Sequence, residues 1–232
     1  MQTQKLTQLS LVAAFACLCV ATARADVHFG IIATVRTTPK TTASINVASD
    51  QPGEAVFTVF PSGGFAISDS VGLNLDGFAT SADSADPAIQ NLFIGSSAST
   101  ALVRAVFANG NSTAVLEQSS LEGKSVVVLP PYNAGTGTVF QIPIGDLQRG
   151  TSVIIGNVSD FDTAIVVRYG NDPLEPPVPL SKNSTLVIDV TQANTLIRVV
   201  SVLADARLIA LLTVDTGKTT EMTYVLPQAA AQ

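Results

Sequence analysis

"LADARLIALLTV", residues Leu203–Val214, is the stretch on which the fold class turns. It is the one run dominated by good helix formers, and read alone it could open a helix. Its surroundings argue otherwise. "ASINVAS", "EAVFTVF", "SVGLNLD", "ALVRAVF", "SVIIGNV", "TAIVVRY", "STLVIDV" and "EMTYVL" are apolar runs of a few residues each, and most alternate apolar with polar. That period of two is the mark of a half-buried strand. The turn signals "SDQPGE", "PSGG", "ANGN", "NDP" and "DTGK" punctuate them. No long 3.6-residue periodicity with caps occurs.

Internal similarity decides the ambiguous stretch. "FAISDSVGLNLD" (Phe65–Asp76) aligns without a gap on "VPLSKNSTLVID" (Val178–Asp189), so that Leu73 meets Leu186 and Asp76 meets Asp189. Upstream, "NVASDQPGEAVFTVF" from Asn46 corresponds to "NVSDFDTAIVVRY" from Asn157. Downstream, "ALVRAVFANGN" from Ala101 corresponds to "RLIALLTVDTG" from Arg207. Leu203–Val214 thus occupies the slot of "STALVRAVFANG" (Ser99–Gly110), which has no helical character, and is read as a strand. The expected fold is all-β: two tandem antiparallel β-sandwich modules, 26–122 and 123–232, of about seven strands each. The polar "SSLEGKS", Ser119–Ser125, marks their boundary.

With its "N-V-S-D…A" hairpin, its "PLS…STLVID" strand pair and the "ARLIALLTV" strand that follows, the chain resembles tandem immunoglobulin-like β-sandwich modules of secreted bacterial surface proteins. The resemblance implies non-catalytic surface or extracellular roles and no particular ligand. The Cys…Trp…Cys signature of antibody domains is absent: the chain has no tryptophan, and its two cysteines, Cys17 and Cys19, fall elsewhere.

Those cysteines lie in residues 1–25, which read as a secretory signal peptide. Lys5 precedes an apolar core, "LSLVAAFACLCVA", and Ala23 and Ala25 form the small-residue cleavage pattern. The bulky Phe15 before Cys17 disfavours lipid attachment there. Cleavage after Ala25 leaves a mature chain of 207 residues beginning at Asp26, without a thiol and therefore without disulfide, thiolate metal site or cysteine nucleophile. It carries 10 basic against 18 acidic residues and no basic run, so nucleic-acid binding has no electrostatic footprint. No later segment is apolar enough for membrane insertion.

Candidate chemistry is sparse. "VDTG" at Asp215 has the form of an aspartic-protease motif, but that chemistry needs two carboxylates sharing a proton. The corresponding repeat stretch offers Asn109-Gly110, a common hairpin turn, so Asp215 is read as turn chemistry. "TGKTT" fails as a phosphate loop, whose first glycine would fall at Leu212. The only histidine, His28, is expected to be a solvated or strand-edge residue near a frayed start. Asp83 with Asp86, Asp160 with Asp162, and Asp172 with Glu175 could supply calcium oxygens but lack EF-hand spacing, and they read better as turn residues. Asn111, Asn157 and Asn183 stand in N-x-S/T sequons. Tyr132, Tyr169 and Tyr224 are dispersed, with Tyr132 in "PPYNAG" the most exposed in prospect.

The sequence therefore commits to no catalytic, cofactor-binding or metal-binding residue. It supports three readings: a secreted structural, adhesive or surface-display protein; an extracellular module binding glycans or another polymer; and a filament subunit assembled by strand donation. The expected location is extracellular, cell-surface or periplasmic, and the expected partner is a surface protein or polysaccharide.

Overall fold

The computed structural model describes residues 26–33, 42–49, 52–62, 69–76, 79–82, 100–108, 112–120, 123–129, 132–146, 150–215 and 220–228. Residues 1–25 with Cys17 and Cys19, the Asp83–Asp86 pair, Asn109-Gly110, Asn111 and Gly217 lie outside them.

The described chain is almost entirely strand: β1 (Asp26–Ala33), β2 (Thr42–Ser49), β3 (Pro52–Pro61), β4 (Asp69–Asp76), β5 (Ala79–Ala82), β6 (Thr100–Phe107), β7 (Ser112–Ser120), β8 (Gly123–Leu129), β9 (Val139–Ile144), β10 (Ser152–Asn157), β11 (Thr163–Tyr169), β12 (Val178–Leu180), β13 (Thr185–Asp189), β14 (Thr195–Ser201), β15 (Leu208–Asp215) and β16 (Thr220–Val225). A single helical turn, α1 (Tyr132–Gly135), joins β8 to β9. Among the described residues no helix is long and apolar enough to cross a membrane.

The strands form four antiparallel sheets of four. We name them sheet I (β5-β2-β7-β8), sheet II (β1-β6-β3-β4), sheet III (β13-β10-β15-β16) and sheet IV (β12-β11-β14-β9). Adding eight to every strand number turns sheet I into sheet III and sheet II into sheet IV. The strand order therefore recurs, with eight strands per set where the sequence suggested about seven. The order departs from that of an immunoglobulin sandwich, in which the first strand lies beside the second and the sixth beside the seventh. Here the first lies beside the sixth and the seventh beside the second.

Successive apolar clusters join the sheets. Val47, Ala55, Phe57, Val59, Val103 and Phe107 fill the space between sheets I and II. Phe140, Ile142, Val153, Ile155, Ile165, Val167, Ile197 and Val199 fill that between III and IV. A third cluster, Phe29, Ile31 and Leu102 against Ile154, Val158, Ile209 and Leu211, joins II to III. Sheet III is thus covered on both faces. In β15, Leu208 and Ala210 point toward sheet IV while Ile209 and Leu211 point toward sheet II. This explains the stretch with which the sequence reading began. A strand buried on both sides needs apolar residues at every position, which erases the period of two and leaves a run that looks helical. Residues from Leu208 onward are strand, whereas Val202–Arg207 form the preceding loop.

Two of the three repeat alignments slip. By strand order β4 corresponds to β12 and β5 to β13, so aligning Phe65–Asp76 on Val178–Asp189 places β4 one strand too late. Likewise β6 corresponds to β14, "TALVRAVF" to "TLIRVVS", rather than to β15. The β2–β3 connection does correspond to β10–β11, but with a change of face. Val47 packs between sheets I and II, whereas its aligned partner Val158, one residue past the end of β10, packs into the cluster between sheets II and III. The stretch Ser119–Ser125 falls across the β7–β8 hairpin, in which Ser120 pairs with Gly123, so strand pairing does not divide at 122/123. β6 and β7 belong to different sheets, so these two strands do not pair with each other as a hairpin.

Candidate functional site

Three loops meet at one end of sheets III and IV, and Asn157 organises them. Asn157 ends β10 and is fully buried. Its Nδ2 donates to the Phe161 carbonyl at 3.0 Å and the Leu180 carbonyl at 3.1 Å, while its Oδ1 accepts from the Ser159 amide at 3.0 Å. Its main-chain N–H donates to Ser184, and its carbonyl accepts from Asn183, whose φ of 53° places it in the left-handed region that asparagine tolerates. Ser159 Oγ accepts from the Arg207 amide at 2.7 Å. The loops after β10, β12 and β14 are thereby tied together. Between them they expose Phe161, Val202 and Leu203, at 41%, 50% and 43%. The Asn157 sequon is engaged from within: both amide hydrogens of the nitrogen that would carry a glycan are committed to carbonyls in a buried site.

His28 is where the structure corrects the sequence reading most sharply. β1 is an edge strand of sheet II, yet the imidazole is buried. It meets the Phe107 ring edge-on with 5.1 Å between centroids. Nδ1 lies 2.7 Å from the Leu129 carbonyl, which can only accept, so Nδ1 carries a proton. Nε2 lies 2.9 Å from Asp26 Oδ2, and the pair shares another. Both nitrogens are occupied by acceptors, and among the described residues no hydroxyl is hydrogen-bonded to the ring, so the arrangement fits a structural link between β1 and β8. Sequence reasoning missed this because the partner carbonyl is 101 residues away.

The remaining candidates separate. Asp162 Oδ1 accepts from the Lys182 amide at 2.8 Å, Asp172 Oδ2 accepts from Gln192 Nε2 at 3.0 Å, and Asp160 and Glu175 are exposed. Among the described residues no three potential ligands come together as a metal site. Tyr132, expected to be exposed, instead leans on Phe29 with ring centroids 5.6 Å apart and packs against the II–III cluster. Tyr224 joins the same cluster, and its phenolic oxygen accepts from the Ile31 amide at 2.9 Å on the free edge of β1. Burial pushes the Tyr224 phenol far above its ordinary range, only partly opposed by that hydrogen bond. Tyr169 donates to the Asp189 carbonyl at 3.3 Å, and burial, then the Glu175 and Asp189 carboxylates, raise its pKa as well. The tyrosines are thus not brought together as a stacking platform. Asp215 closes β15 opposite Thr220, flanking the β15–β16 loop.

No protein-family model matches the chain, and no curated protein and no solved structure matches it either.

Proposed function

We propose that this protein is exported and acts as a non-catalytic, sandwich-built structural, adhesive or surface-display protein composed of two like units, β1–β8 and β9–β16. The observation that supports this most is the repeated strand order together with the apolar junction between sheets II and III. A junction that buries Phe29, Ile31, Leu102, Ile154, Ile209 and Leu211 fixes one unit upon the other. It does so without a disulfide, as a chain whose cysteines leave with a signal peptide must. A second support is the tied loop end around Asn157, which holds Phe161, Val202 and Leu203 outward at fixed positions. Exposed apolar side chains that gather in one patch mark a surface for contact with another molecule.

The test is to fractionate producing cells, sequence the N-terminus of the protein recovered, and identify what co-purifies with it. The expected result is a chain starting at Asp26 outside the cytoplasm. A full-length cytoplasmic chain would overturn the export reading. A hydrolytic activity abolished by one point substitution would overturn the non-catalytic one.

A further inference from the structure

The outer face of sheet IV carries a pattern that pairing register alone reveals. Inward positions of β9, β11 and β14 fill the core, so the alternate positions face away from it. Read across the strands, they form rows. Val166 pairs with Val200, and Val200 with Val139. Next, Arg168 pairs with Arg198, and Arg198 with Gln141. Then Leu196 pairs with Pro143, with Gly170 donating its amide to the Leu196 carbonyl. A row of three hydrogen-bond donors therefore lies between two apolar rows. Arg198, Leu196 and Pro143 are exposed, and Arg168, Gln141 and the valines are half-buried.

Two like charges directly opposite on neighbouring strands destabilise a sheet. Here the pair stands in an acidic chain, and among the described residues no carboxylate forms an ion pair with either guanidinium. The Arg168 side chain is also held: its Nε donates to the Asp172 carbonyl at 3.0 Å, which leaves the two terminal nitrogens for something else. An unneutralised, positioned pair of guanidinia suits a carboxylate, which each can bind with two parallel hydrogen bonds.

We propose that Arg168, Arg198 and Gln141 form a binding site for an acidic polysaccharide bearing uronate carboxylates. Neighbouring strands are about 4.8 Å apart, so the row spans about 10 Å. One or two carboxylates bind the arginines, Gln141 meets a neighbouring hydroxyl, and the valine row and Leu196 take the C–H faces of the sugar rings. A row that crosses three neighbouring strands of an outer sheet face suits an extended polymer; a folded acidic partner needs about 800 Å² of contact with an apolar centre. This goes beyond the structural role proposed above and is tested on purified protein, so it stands or falls independently of where the cell puts the chain.

The experiment is affinity electrophoresis of the mature protein in gels containing polygalacturonate, with dextran and poly-glutamate gels as comparison arms. Retardation by polygalacturonate alone is expected, suppressed by about 0.5 M salt as counterions screen the arginines. In R168Q/R198Q the apparent affinity should fall at least tenfold while the thermal midpoint stays level or rises, because a repulsion has been removed. R207Q, an exposed arginine at the loop end, should behave as wild type. Absence of retardation, or retardation undiminished in the double variant, overturns the proposal. Equal retardation by poly-glutamate overturns the polysaccharide in favour of an acidic peptide, and equal retardation by dextran overturns the role of charge.

Discussion

Gly156 offers the most direct check on the junction between sheets II and III. A methyl group built on its Cα would lie 2.9 Å from Leu102 Cδ1 and 3.1 Å from Ile209 Cγ1. Carbon atoms pack comfortably at about 3.5–4.0 Å. Leu102 is completely buried, so its methyl has nowhere open to retreat. Overpacking of this kind costs about 1–3 kcal/mol. The strand preference of alanine over glycine returns about 0.5–1 kcal/mol. Gly156→Ala should therefore destabilise by about 1 kcal/mol, within about 0–2.5 kcal/mol, lowering the thermal midpoint by about 2–4 °C in a chain of this size. Leu102→Ala alone should cost about 2–5 kcal/mol as a cavity. In the double variant the added methyl enters the vacated space, so the combined loss should fall short of the sum by at least 1 kcal/mol. Urea denaturation of the four proteins measures this cycle. Agreement of the double variant with the sum to within about 0.5 kcal/mol would refute direct packing of β10 on β6, and with it the fixed junction.

Three other outcomes follow from described contacts. Asn157→Ala leaves the Phe161 and Leu180 carbonyls and the Ser159 amide without their partner and should cost about 2–4 kcal/mol by chemical denaturation; in a glycosylating host, peptide mass spectrometry should find Asn157 unmodified. Tyr224 and Tyr169 both have raised pKa values in the fold, so the native state holds their protons after the unfolded chain has released them. Stability is then full below about pH 10 and is lost as pH rises beyond it, and Tyr224→Phe should flatten that alkaline loss while costing about 1–3 kcal/mol at neutral pH by stranding the Ile31 amide. Asp215→Asn should shift the thermal midpoint by no more than about 0.5 kcal/mol allows, and acid proteolysis by the parent that vanishes in this variant would overturn the turn reading.

What the sequence made legible was the strand wherever one face meets solvent. β9, β11 and β14 alternate as written, and their inward residues are the core. β10 and β15 escaped that rule because they are buried on two sides, a property of what packs above them and not of the strands themselves. The repeat was visible, but its phase was not. Short alternating strands resemble one another, and a gap-free alignment slid β4 onto β13 with nothing local to penalise it. The His28 link was illegible for a related reason, since burial of one imidazole depends on where β8 ends. The donor row on sheet IV depends on register: each arginine is unremarkable in its own strand, and only pairing sets Arg168 beside Arg198.

The recurrence of strand order has a directional consequence. Sheets I and III are one kind, sheets II and IV the other; the apolar junction between the two sets joins the unlike sheets II and III, while β16 of sheet III also lies against β8 of sheet I. Two units related by a two-fold axis would have met through matching faces and used them up equally. The II–III junction instead joins two unlike faces, so the faces it leaves outward differ from each other. Among the described strands one face of each kind is left outward: that of sheet I at one end, and that of sheet IV, with its arginines, at the other. Contacts between unlike faces do not close on themselves unless a rotation brings them round. A protein put together this way has two different ends to offer, and whatever is held at one is held at a fixed distance and orientation from whatever is held at the other.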